Sequence, residues 1–107
     1  MVEEGSSVAV GACWVNGRLV EPGTATVRAD DHAVVVGDGV FETMRIVDGA
    51  AFALSRHLRR LDRSATGLGL EDPDEDLIRA AIHEVLAADP SAGLLRITWS
   101  SGAGPWG

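Results

Sequence analysis

Two Asx-Gly pairs, Asn16-Gly17 and Asp48-Gly49, restrict the folds open to this chain more than any other feature. Both pairs tolerate the positive φ angles that a two-residue hairpin turn demands, and both lie between runs rich in β-branched, aromatic or small apolar residues. The first is predicted to join Val8 to Val15 with Arg18-Leu19-Val20, ending at Glu21-Pro22-Gly23. The second joins Val40 to Val47 with Ala50 to Leu54. Two such hairpins predict an antiparallel sheet.

The next segment changes period. Ser55 is a candidate N-cap for a helix through about Thr66, with Leu58, Leu61, Ala65 and Leu68 on one side at spacings of three and four and Gly67 and Gly69 ending it. A second helix is expected after Asp72 as cap, with Pro73 at the first helical position and Glu75 completing a capping box. Leu77, Ile78, Ala81, Ile82, Val85 and Leu86 form its apolar face, and Asp89-Pro90-Ser91-Ala92-Gly93 closes it. Leu94 to Ser100 then alternates Leu95, Ile97 and Trp99 against Arg96 and Thr98, as a strand does. Strands, two helices and a strand predict an α+β fold, an antiparallel β-sheet with two helices packed on it. Residues 1–100 are expected to form this small domain. Residues 101–107, glycine-rich with Trp106, are expected to be an interdomain linker or an active-site loop cut short, a frayed terminus being the alternative.

Charge and composition narrow the function. The 107 residues are 46% hydrophobic, enough for one domain with a core. A formal charge of −7 argues against nucleic acid as partner, because such binding rests on phosphate neutralisation. No apolar run approaches the roughly 20 residues that span a bilayer, and Met1-Val2-Glu3-Glu4-Gly5 lacks the cationic flank of a secretory signal, so no membrane and a cytoplasmic setting are expected. Cys13 stands alone within an apolar run and is expected to be a buried, inert thiol. Asp30, Asp31 and His32 are adjacent on an extended chain, where side chains diverge, so no metal site is expected there.

The chemistry-bearing residues follow one another in a short region: Trp14-Val15-Asn16-Gly17-Arg18-Leu19-Val20, then Gly37-Asp38-Gly39-Val40-Phe41-Glu42-Thr43-Met44-Arg45, then Asp48-Gly49, then His57-Leu58-Arg59-Arg60-Leu61 with Ser64-Ala65. In order and spacing this succession resembles the N-terminal small domain of the fold-type IV pyridoxal-phosphate enzymes, the class IV aminotransferase family, which includes branched-chain and D-amino-acid aminotransferases and 4-amino-4-deoxychorismate lyase. Weaker similarity continues to Trp99. The resemblance implies a cofactor, pyridoxal 5'-phosphate, held between this domain and a larger C-terminal domain that supplies the Schiff-base lysine. It also implies a homodimer.

All nine basic residues here are arginines, so no ε-amine exists on this chain to hold the cofactor aldehyde, and no residue of it is assigned a catalytic role. The larger domain must come from elsewhere, or the chain is a non-catalytic module. Within the family, Phe-Glu-Thr-Met-Arg with Thr43, where branched-chain enzymes typically carry glycine, favours the lyase or D-amino-acid branches. The lyase reaction so implied eliminates pyruvate from aminodeoxychorismate to leave 4-aminobenzoate, a step of folate biosynthesis.

Arg60 matches the family position that grips the cofactor phosphate, a task suited to a planar, permanently charged group with several donors. At about 100° per residue it lies nearest the apolar stripe among the helix arginines, whereas Arg56, Arg59 and Arg63 point away. Without the resemblance, Arg60 reads as part of a solvated basic face pairing with neighbours such as Asp62. Phe41, Thr43 and Arg45 alternate along one strand face and are the candidate substrate-binding wall, with Arg45 meeting a carboxylate; an exposed strand face is the alternative. Glu42 points the other way and is expected to be structural, and His57 either packs or supports Arg60. Gly37 and Gly39 are expected to turn the chain into the strand rather than cradle a phosphate.

Overall fold

The computed structural model describes residues 11–102. The expected start of the first strand at Val8, and most of the expected linker, with Trp106, lie outside these residues. Strands β1 (Cys13–Val15) and β2 (Arg18–Val20) form the first hairpin, followed by a 3₁₀ turn at Pro22–Thr24 and a short helix α1 (His32–Val35). Strand β3 (Gly39–Val47), its brief return β4 (Ala50–Ala51), helices α2 (Leu54–Leu68) and α3 (Glu75–Ala88), and strand β5 (Leu94–Ser100) complete the order. The larger sheet is antiparallel throughout, in the order β4-β3-β5. This is the α+β architecture expected, with α1 and the 3₁₀ turn in addition.

Both hairpin turns use the Asx-Gly chemistry. Asn16 and Gly17 have φ of 48° and 106°, and Asp48 and Gly49 have φ of 51° and 76°. Positive φ at both central residues lets the turn follow the right-handed twist of the strands. The second return strand stops at Ala51 instead of Leu54, because Ala53 takes a left-handed conformation at φ 56° and starts α2 directly. Gly37, at φ 72°, turns the chain towards β3, and a Cβ on Gly39 would stand 3.0 Å from that of Ala33. The entry into β3 therefore needs both glycines, for conformation and for close approach.

The core lies between the larger sheet and the two long helices. Val40, Leu58, Leu61, Ala65, Ile78 and Ile82 are buried together, with Leu86, Leu95, Ile97 and Trp99 packed against them. The stripe of α2 is as read at Leu58, Leu61 and Ala65, but Leu68 is half-exposed at the helix end, where Gly69 caps the last turn. On α3, Ile78 and Ile82 are buried while Leu77 is exposed.

Two caps differ from expectation. Ser55 lies inside α2, and its hydroxyl accepts a hydrogen bond from Arg79 of α3. Asp74, not Asp72, caps α3 by accepting from the amide of Leu77 at 3.0 Å. Pro73 thus precedes the helix, and Glu75 opens it and pairs with Arg79 one turn on. Asp74→Ala should cost about 1 kcal/mol of folding stability and Asp72→Ala close to nothing, a contrast that urea unfolding midpoints measure directly.

Candidate functional site

The pleat of β3 divides its side chains between two environments. Val40, Glu42 and Met44 face the helices and are buried, while Phe41, Thr43 and Arg45 lie exposed on the other side. The register with β5 sets Thr98 opposite Phe41, Arg96 opposite Thr43 and Leu94 opposite Arg45. Directly paired residues of antiparallel strands share a face, so these six side chains form one surface. The Arg96 guanidinium carbon stands 4.0 Å from the Phe41 ring centroid, a cation–π contact. The Thr98 hydroxyl oxygen is shielded from solvent yet has no hydrogen-bond partner among the described residues. A surface with two guanidinium groups, an aromatic ring and the Thr43 hydroxyl, on which Phe41 retains 56% of its exposure, suits a flat anionic ligand.

The helix side of β3 carries a second polar group. Glu42 is 7% exposed and is the one buried charged residue among those described. His57 Nδ1 lies 2.7 Å from its Oε1, and Arg60 Nε lies 3.9 Å from the same oxygen. Both partners come from one flank of α2, three residues apart. The Arg60 side chain is 56% exposed, and among the described residues it has no other ion pair. Its terminal nitrogens are thus left open to an anion, while the alternative partner Asp62 is not used.

Arg60 approaches β3 from the helix-covered side, whereas Phe41, Thr43 and Arg45 line the opposite one. The structure assembles two half-features around a single strand, and it does not place Arg60 among the triplet. Between them, β3 has no β4 partner before Ile46 and the Arg45 carbonyl accepts from the amide of Phe52, so the edge from Gly39 to Met44 is paired with β5 alone. The contact between Glu42 and α2 was not foreseen. Its signal was present: a carboxylate at a core-facing position between Val40 and Met44 requires a buried partner.

Asp30, Asp31 and His32 disperse. Arg28 donates two hydrogen bonds to Asp30, and these hold the Asp30 carboxyl below the usual carboxylate range. Asp31 caps α1 through the amide of Ala33 and accepts from the Ser100 hydroxyl at 2.8 Å. His32 Nδ1 faces Asp38 at 3.7 Å. Cys13 is buried at 4% exposure.

Residues 39–107, which hold β3, α2 and β5, match the amino-transferase class IV family. The chain belongs to that family. As a class IV aminotransferase segment it is 38% identical over 92 residues to the bifunctional aminodeoxychorismate lyase / D-amino acid transaminase of Mycobacterium tuberculosis, covering 82% of this chain and 32% of that protein. Among solved structures it superposes on a hypothetical aminotransferase from Mycobacterium tuberculosis in PLP-bound form with a TM-score of 0.73 at 38% identity, covering 81% of this chain and 32% of the other. It superposes on 4-amino-4-deoxychorismate lyase from Pseudomonas aeruginosa with a TM-score of 0.69 at 31% identity, covering 88% and 33%. The class IV chain therefore spans about a third of the length of these relatives. It corresponds to a fold-type IV N-terminal domain.

Proposed function

We propose that this class IV chain is the small domain of a pyridoxal-phosphate-dependent 4-amino-4-deoxychorismate lyase, in which Arg60 binds the cofactor phosphate and Phe41, Thr43 and Arg45 form the substrate wall. The observation that carries the proposal is the Arg60 guanidinium, 56% exposed and closest to the buried Glu42 carboxylate at Nε, 3.9 Å away and beyond hydrogen-bond distance. That is the donor set a phosphate dianion calls for, since two free terminal nitrogens can each pair with an oxygen. The exposed Phe41 ring, with Thr43 and Arg45 beside it on the far side of β3, fits a planar, polar ligand laid against the sheet. The residues present fit the cofactor in this respect, and the 107 residues contain no lysine to bind it covalently.

When bound, pyridoxal phosphate supplies an electron sink for negative charge at the amino-bearing carbon of the substrate. This chain contributes position and charge. Arg60 anchors the phosphate end, Phe41 excludes water from one wall, and Thr43 and Arg45 orient a substrate carboxylate. The proposal includes a larger C-terminal domain that brings the lysine for covalent attachment and proton transfer, a homodimer as the working unit, and a cytoplasmic setting. Among the described residues no helix is long and apolar enough to cross a membrane.

The second reading, a branched-chain or D-amino-acid aminotransferase, draws support from similarity to relatives named for each of those activities. One assay of the whole enzyme separates them. Pyruvate and 4-aminobenzoate formed from aminodeoxychorismate without any amino acceptor support the lyase, and strict dependence on a keto acid defeats it. Lack of visible absorbance with pyridoxal phosphate and of turnover in either assay would leave a non-catalytic module.

A further inference from the structure

We infer that Glu42 is a positioning residue for Arg60, restraining the guanidinium from its Nε edge so that both terminal nitrogens face the cofactor phosphate; this rests on the reading of Arg60 given above. Glu42 occupies a core position, between Val40 at 8% and Met44 at 3% exposure, where an apolar side chain would pack without desolvating a charge. Buried ion pairs add little or nothing to stability relative to well-packed apolar residues. Folding alone therefore does not account for a carboxylate here.

Its surroundings do. The hydrogen bond between His57 and Glu42 at 2.7 Å fixes the carboxylate, and Arg60 Nε lies 3.9 Å from the oxygen so fixed. At that separation the carboxylate restrains the arginine by charge without occupying its terminal donors. An arginine free to sample its rotamers loses that freedom on binding an anion, and an arginine already restrained loses less. His57 acts one step further back, by holding Glu42. The strand pleat puts Glu42 on the helix side, and the spacing of three residues puts His57 and Arg60 on one flank of α2.

The test compares Glu42→Gln, Arg60→Ala and the double variant in the whole enzyme loaded with pyridoxal phosphate, reading the cofactor dissociation constant and the phosphorus resonance of the bound phosphate. Glu42→Gln should loosen the cofactor about five- to tenfold and move the resonance, and the double variant should be no looser than Arg60→Ala. A fold-stabilising role alone predicts a lower melting temperature with the resonance unmoved. Additive losses in the double variant, or an unchanged resonance and dissociation constant in Glu42→Gln, would overturn the inference. If Glu42→Gln does not fold, Glu42→Asp carries the same comparison, with a smaller loss in the same direction expected and no loss overturning it. Unchanged cofactor binding in Arg60→Ala would remove the phosphate assignment itself, whereas loosening in Arg60→Ala without any in Glu42→Gln removes only the role of Glu42.

Discussion

Arg60→Ala in the whole enzyme should weaken cofactor retention by about 1.5–3 kcal/mol, roughly a 10- to 150-fold rise in the dissociation constant. The size follows from the partner. A hydrogen bond between a guanidinium and a phosphate is charged on both sides, so its loss exceeds that of a neutral pair and leaves the anion with fewer donors. Absorbance titration of the apoenzyme with pyridoxal phosphate measures it. Arg59→Ala and Arg63→Ala are the controls, for both side chains are exposed and neither forms an ion pair among the described residues. Each should stay within about 0.5 kcal/mol of the parent. Arg60→Lys should recover only part of the loss, because one ammonium cannot present a planar pair of donors. Equal effects at all three arginines would point to a general basic face instead of a phosphate site.

What could be read from sequence was chiefly what local chemistry decides. The Asx-Gly turns follow from two residues each, and both adopt positive φ as expected. The division of β3 into a Phe41-Thr43-Arg45 face and a Val40-Glu42-Met44 face follows from the pleat alone. The phase of α2 follows from Leu58, Leu61 and Ala65. What escaped depends on neighbours. Ser55 looks like a cap, but β4 runs so close to α2 that Ala53 takes the left-handed turn and Ser55 is drawn to Arg79 across the helix pair. Asp72 and Asp74 are equivalent as caps until tertiary packing fixes where α3 begins. Helix α1 is one turn long and is held by Asp31, whose carboxylate also receives the hydroxyl of Ser100, 69 residues away. The partners of Glu42 are likewise long-range, 15 residues on at His57, so the strand could show that a partner was needed but not which one.

The largest stability effect expected is at Leu61. Its side chain is fully buried at 0% exposure and is the only large one so enclosed among the described residues, surrounded by Val40, Leu58, Ala65, Ile78 and Ile82 from one strand and both long helices. Truncating it to alanine removes three carbons from a space that sheet and helices bound on several sides, so collapse can fill it only in part. The cost of such a cavity is about 2–5 kcal/mol, a large share of the roughly 5–15 kcal/mol that holds a domain folded. Leu68→Ala deletes the same atoms from the same helix at a side chain 51% exposed, and should cost under about 1 kcal/mol. Guanidinium unfolding of the two variants, with the slope unchanged, isolates the difference as a shift in midpoint. The consequence reaches the site, because Leu61 follows Arg60 directly and fixes the rotation of α2 that holds Arg60 beside Glu42. A midpoint shift for Leu61→Ala no larger than that for Leu68→Ala would mean that α2 does not seat Leu61 in this core, and the placement of Arg60 against Glu42 would fall with it.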